Sequence, residues 1–199
     1  IQDEQGLIWF NTADGIFYSD GFATYPIPAE ISNQLTNKVR LFIDDDGLVW
    51  VVNQLKEAKA FYYTNGKWHQ QTFPKEVSEQ KGLSYLDVMV LGKGNEKKII
   101  VLFPDIIYFS QGETDQWNSI KYDFVKEGWL KSGYQYEGES YLFFGRNTFL
   151  LEENSIIEIE PKGIDLGSEI LHVAYCSSEK KFYYLGLDFL ASGSKFMEI

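Results

Sequence analysis

Asp3-Glu4-Gln5-Gly6-Leu7-Ile8-Trp9-Phe10-Asn11-Thr12-Ala13-Asp14-Gly15-Ile16-Phe17-Tyr18 carries a regular signal: Asp3, Gly6, Trp9, Thr12 and Gly15 fall every third position. Asp44, Gly47 and Trp50 repeat Asp3, Gly6 and Trp9 at a distance of 41 residues. An acidic turn, a glycine and a strand tryptophan at that interval imply a unit of about 40 to 50 residues, the range of β-propeller blades.

Each blade should contain a hairpin, and the turns bear this period out along the chain. Tyr18-Ser19-Asp20-Gly21-Phe22 and Tyr63-Thr64-Asn65-Gly66-Lys67-Trp68 set Asp-Gly and Asn-Gly between aromatic residues. Those dipeptides predict type I′ turns, whose two central residues both need positive φ. Tyr108-Phe109-Ser110-Gln111-Gly112, Leu151-Glu152-Glu153-Asn154-Ser155-Ile156 and Ala191-Ser192-Gly193-Ser194-Lys195 continue the series. Turn centres at 21, 66, 112, 154 and 193 are spaced by 45, 46, 42 and 39 residues.

The fold predicted is all-β: a β-propeller of about five four-stranded blades, read as one propeller region over 1–199. Its repeat units are 1–28, 39–74, 86–122, 129–161 and 171–199. In the second unit the strands are expected at 39–43, 48–53, 60–64 and 67–73, ending at Pro74. Pro26, Pro28 and Pro161 also fall where outer strands end, as proline's missing N–H requires. Helical turns are expected at 30–35 and 75–80. The first unit lacks most of an inner strand and the last lacks an outer one, so the expectation is a stretch of a larger propeller rather than a closed five-bladed ring.

Composition narrows the partners. The chain has 199 residues, 17% of them aromatic, which suits pleated surfaces where rings pack across strands. Eighteen basic against 29 acidic residues leave a net charge of -11, so the phosphate-neutralising attraction behind nucleic-acid binding is missing. No apolar run approaches the roughly 20 residues that span a bilayer, and no membrane contact is expected. Asp44-Asp45-Asp46 reads as a solvated turn. The single cysteine, Cys176, excludes an internal disulfide and reads as a buried small hydrophobe.

Asp3-x-x-Gly6-x-x-Trp9-x-x-Thr12-x-x-Gly15-Ile16 resembles the two-component regulator propeller repeat of the periplasmic sensor regions of bacterial hybrid histidine kinases. The second unit matches in part, with Asn53 in place of the threonine and Lys56 in place of the second glycine. The resemblance implies a periplasmic or extracellular sensor that recognises a carbohydrate or similar small ligand, with a kinase module elsewhere. The open propeller edge leaves room for a homodimer or for further blades as partners.

Within the motif, Asp3, Gly6, Trp9, Asp44, Gly47 and Trp50 read as structural: glycines for turns, aspartates for turn amides, tryptophans between blades. Ligand contacts are expected instead in the loops joining second to third strands, at Asn11, Asp14, Gln54, Lys56, Asp105, Arg146, Asn147 and Asp188. Amides and carboxylates there suit sugar hydroxyls, and Arg146 suits a carboxylate. Trp68, Trp117 and Trp129 are read as interblade packing, with sugar stacking as the alternative.

No catalytic residue, cofactor or metal site is expected. His69 and His172 have no ligand spacing, and Asp44-Asp45-Asp46-Gly47 fails as a calcium loop because Leu55 stands where a glutamate is required. The alternatives are a protein-docking scaffold and, less favoured, a propeller glycosidase with paired carboxylates.

Overall fold

The computed structural model describes residues 1–36, 38–54, 57–79, 87–110, 116–128, 130–159, 170–176, 181–188 and 193–198. Within 170–198 it describes the side chains of Val173, Tyr183 and Leu185. The described strands form five sheets, each a meander of consecutive strands. The first sheet holds β1 (Ile8–Thr12), β2 (Gly15–Ser19) and β3 (Thr24–Pro26). The second holds β4 (Val39–Ile43), β5 (Val49–Asn53), β6 (Ala60–Thr64) and β7 (Lys67–Gln71). In the third are β8 (Asp87–Leu91), β9 (Lys98–Leu102), β10 (Ile106–Ser110) and β11 (Trp117–Lys121). The fourth comprises β12 (Leu130–Tyr136), β13 (Glu139–Phe144), β14 (Thr148–Leu151) and β15 (Ile156–Ile159), and the fifth β16 (Ile170–Cys176), β17 (Lys181–Asp188) and β18 (Gly193–Glu198). This is an all-β propeller architecture. Helical turns α1 (Ala29–Ser32) and α2 (Lys75–Ser78) follow Pro28 and Pro74, whose fixed φ suits a helix start.

By internal contacts the chain forms two compact units, 1–103 with 108–117, and 104–107 with 118–199. In the first unit the repeated motif is one device built twice. Asp3 Oδ1 accepts the backbone N–H of Gln5 and Leu7, and Asp3 Oδ2 accepts the Trp9 indole N–H at 2.8 Å. Asp44 Oδ1 accepts from Asp46 and Leu48, and Oδ2 from Trp50 Nε1 at 2.8 Å. The glycine N–H closes each turn onto its aspartate's own carbonyl at 3.0 Å. Gly47 stands at φ +80°, a backbone conformation that side chains other than glycine rarely adopt.

Side-chain alternation separates the two faces of each sheet. Trp9, fully buried, projects with Tyr18 toward the second sheet, where Tyr63 and Trp68 meet its ring at 5.0 and 5.7 Å. Ile16, Ile27, Val49, Val51 and Phe61 complete this core. Trp68 is therefore interblade packing. Trp50, Phe42, Tyr62 and His69 occupy the opposite face of the second sheet as a ring ladder. Phe10 and Phe17 stack on the opposite face of the first sheet, where Ile8 is 47% exposed.

Two expectations are corrected here. Within the acidic run Asp44-Asp45-Asp46, expected as a solvated turn, Asp45 and Asp46 are exposed but Asp44 is buried. Asp45 accepts the N–H of Gly92, Asp46 accepts that of Gly94, and Lys97 Nζ lies 3.1 Å from Asp44 and 2.5 Å from Asp46. Each of the three carboxylates therefore also has a partner beside the next blade's turn. The Asp20-Gly21 turn is not type I′ either: β2 and β3 are joined by four residues, with Ser19 opposite Thr24. Asp20 Oδ1 holds that loop by accepting from Phe22 and Ala23, and these bonds lower the Asp20 pKa. Asn65-Gly66 does form the expected turn, with φ of 48° and 76° between Thr64 and Lys67. Glu137-Gly138, which the sequence reading did not single out, makes a turn of the same kind at 52° and 83°. The turns at Gly112 and at 191–192, Trp129 and Pro161 lie outside the described residues.

In the second unit Phe143, Phe144, Phe149, Leu142 and Phe124 are fully buried. Tyr134 of β12 donates its hydroxyl to the Val173 carbonyl of β16 at 2.6 Å, joining the fourth and fifth sheets.

Asp44→Ala should destabilise the chain by about 3 kcal/mol, because it leaves the buried Trp50 indole N–H and two turn amides without their acceptor and takes one of its two carboxylate partners from Lys97. Urea denaturation checks this, and a loss under about 1 kcal/mol would show the carboxylate to be dispensable. Asp46 is held below the usual carboxylate pKa chiefly by its hydrogen bond from Lys97. Its contribution is therefore present above the unfolded value near 3.8 and lost as the pH falls through the lower folded value. In melts taken from pH 6 downward, Asp46→Asn should show a shallower acid decline than the parent.

Candidate functional site

In the first unit the turn between β1 and β2 and the connection that runs from β3 to β4 line a shallow surface pocket. Asn11, Thr12, Ser32 and Thr36 supply its polar lining, and Ile16, Ile27, Leu35 and Val39 its apolar one. Asn53 fixes the wall from behind: buried, it accepts the Thr36 N–H at 2.8 Å on Oδ1 and donates to the Gln34 carbonyl. Thr12, the matching residue in the first unit, uses its hydroxyl within its own turn, to the Gly15 carbonyl and from the Asp14 N–H.

Of the expected site residues, Asn11 lines the pocket and Asp14 stands in the adjoining turn, exposed. Gln54 donates its N–H to the Lys38 carbonyl, next to pocket residue Val39. Lys56 lies outside the described residues; Asp188 ends β17, paired with Gly193, and its side chain is likewise outside them.

Asp105, Arg146 and Asn147 come together in the second unit, around a residue the sequence did not single out. Glu127 is 3% exposed and sits in a helical turn, Val125 to Glu127. Its Oε1 accepts the Tyr122 hydroxyl at 3.0 Å and its Oε2 the Asn147 amide at 2.6 Å. Lys126 Nζ approaches Oε1 to 3.7 Å and lies 4.9 Å from the Tyr122 ring centre. Tyr122 is pushed up to about 12 by burial first, then by its bond to Glu127, with Glu158 and Asp123 adding to the same direction. The Asp105 carbonyl accepts the Tyr122 N–H, so this residue contributes backbone rather than carboxylate. Arg146 is exposed; its N–H bonds the Glu127 carbonyl and its Nη1 the Lys126 carbonyl.

Thr36, Ser32, Lys126 and Glu127 were missed because each sits in a connection between blades, where only folding brings it beside the loops that the period identifies. Asn53 carried a usable signal, standing where the first unit has Thr12. Among the described residues no three His, Cys, Asp or Glu side chains gather as a metal site, and no helix is long and apolar enough to cross a membrane. Trp117 packs on Phe73 at 5.9 Å.

No protein-family model matches the chain, and no curated protein matches it. Solved structures do resemble it. The extracellular domain of BT4673 from B. thetaiotaomicron, described as a one component or hybrid two component system, superposes with TM-score 0.60 at 15% identity in one structure and 0.60 at 14% in another. These alignments cover 94% and 98% of this chain, which spans 24% and 26% of that domain. YCF48 from Cyanidioschyzon merolae superposes with TM-score 0.63 at 11% identity, over 97% of this chain and 66% of its own. At these identities the likeness establishes the fold.

Glu127→Gln should lower the Tyr122 pKa from about 12 toward the ordinary tyrosine value, since a carboxylate that raises it is removed. Titration of carbon-labelled tyrosines by NMR, with Tyr122→Phe to assign the signal, checks this; an unmoved Tyr122 would exclude the pairing.

Proposed function

We propose that this chain is a non-catalytic, ligand-recognising propeller region of a bacterial two-component sensor, exposed in the periplasm or outside the cell, and that it binds a carbohydrate. The observation that carries the reading is the pocket of Asn11, Thr12, Ser32 and Thr36 over Ile16, Ile27 and Leu35. Amide and hydroxyl groups beside an apolar floor suit a sugar ring, which presents hydroxyls at its edge and C–H groups on its face. The Asp-Gly-Trp motif and the fold shared with the BT4673 extracellular domain support the setting. Asn11, Asp14, Gln54 and Lys56 would serve this site in the first unit, and Asp105, Arg146, Asn147 and Asp188 are proposed as ligand contacts of the second unit by itself. Kinase output, further blades and any homodimer belong to what this chain is joined to.

A scaffold reading has one specific observation in its favour. Phe22 is 99% exposed at the tip of a loop fixed by Asp20, and Tyr25 is 41% exposed beside it. Exposed aromatics rimmed by polar residues mark protein contacts as well as glycan contacts.

A thermal-shift screen against a broad glycan panel tests the sensor reading. At least one oligosaccharide should raise the melting temperature without being hydrolysed, and Thr36→Val with Asn11→Ala should weaken binding about tenfold, the loss of one or two hydrogen bonds. Turnover of the glycan would favour the glycosidase, and absence of any shift across the panel would favour the scaffold.

A further inference from the structure

We infer that the pocket of the first unit reads its ligand through the ligand's hydroxyl protons, and so selects neutral sugars over sugars that carry a carboxylate. The inference rests on the carbohydrate reading above and names the class of sugar. A hydroxyl has one proton to give and two lone pairs to offer, so one that donates within the fold meets a ligand as an acceptor. Each of the three hydroxyls among the described lining residues is in that state. Thr12 Oγ1 donates to the Gly15 carbonyl at 3.1 Å, Ser32 Oγ to the Ala29 carbonyl at 3.3 Å, and Thr36 Oγ1 to the Lys38 carbonyl at 3.0 Å. A carbonyl has no proton of its own, which fixes the direction of every one of these bonds.

What remains for a ligand is lone pairs. Thr12 Oγ1 also accepts the Asp14 N–H and Thr36 Oγ1 the Lys38 N–H, which leaves one lone pair on each. Thr36 is held in this pose: Asn53 Oδ1 accepts its N–H at 2.8 Å and lies 3.4 Å from the same hydroxyl as a second acceptor. Among the described lining residues Asn11 brings the one side-chain N–H, and none carries a charge. A neutral sugar suits this set, because its hydroxyls can donate to the three oxygens and accept from the amide while its C–H groups lie on the apolar floor. A carboxylate has lone pairs alone. It would set them against lone pairs with one amide to answer them, in a chain of net charge -11.

Calorimetric titration of the 199-residue chain with matched pairs of oligosaccharides tests this. The pairs are oligogalacturonate, oligomannuronate and oligoglucuronate of equal length, each as the acid and with its carboxyls reduced to give neutral hexoses. At least one neutral member should bind, and at least tenfold more tightly than its acid. The preference should survive 1 M salt, where the screening length is about 3 Å. A preference that vanishes there belongs to the net charge and overturns the inference, as does an acid that binds as well as its neutral partner. Each hydroxyl on the terminal ring of the bound neutral member is then replaced in turn by hydrogen or by fluorine, which cannot donate. At recognised positions both replacements should weaken binding about five- to tenfold, the loss of one hydrogen bond. Fluorinated sugars within twofold of the parent, where the deoxy sugars are weakened, would show the hydroxyls read as acceptors and overturn the inference. Ser32→Ala, at an exposed position, should weaken neutral binding severalfold with an unchanged melting curve, and an unchanged affinity also overturns the inference. In all these cases the carbohydrate reading stands. Failure of every member, acidic and neutral, overturns both.

Discussion

A carboxylate buried beneath a turn organises the first two blades. Asp44 accepts two backbone N–H groups, an indole N–H and a lysine, and without it the tryptophan would be buried with an unmet donor. The bond fixes the indole's position as well as satisfying it, since one carboxylate oxygen is already committed to the turn. Through Trp9, the same geometry sets where the first sheet meets the second. Lys97, whose pKa is raised by Asp46 and Asp44 against the effect of burial, carries the pattern on to the third blade, whose turn has no aspartate of its own.

The sequence made the scaffold legible because blade formation depends on local, periodic chemistry. Alternation places β4 and β6 at their expected residues, and Asn65-Gly66 makes its turn from two residues alone. Asp20-Gly21 shows the limit: the carboxylate found a better use in bonding two loop amides, and a four-residue loop replaced the tight turn. Asp44-Asp45-Asp46 was misjudged in part for a related reason. Three adjacent acids look solvated until a neighbouring blade supplies Gly92, Gly94 and Lys97, and that pairing spans about 50 residues of chain. Glu127 was illegible for the same cause, its partners being Tyr122 close by and Asn147 twenty residues on.

Function and fold divide along the same line. Residues that recur at the blade period are buried or bonded within the turns. Those at the loop ends vary from blade to blade: amide and hydroxyl groups around the pocket in one unit, a guanidinium and an ammonium around Glu127 in the other. A repeat scaffold can change what it recognises by altering these loops without disturbing the carboxylate and tryptophan that hold it together.

The first and second sheets meet through unlike faces, the Trp9 and Tyr18 side of one against the Val49, Val51 and Phe61 side of the other. An interface of this kind has a head and a tail. It cannot be satisfied by two-fold pairing, in which the same patch meets itself; repeated, it gives a ring or an open stack. Phe10 and Phe17, stacked where Val51 and Phe61 stand in the next blade, therefore give the repeat a direction. Such a stack grows by adding blades of one orientation, and a reversed blade has no seat in it.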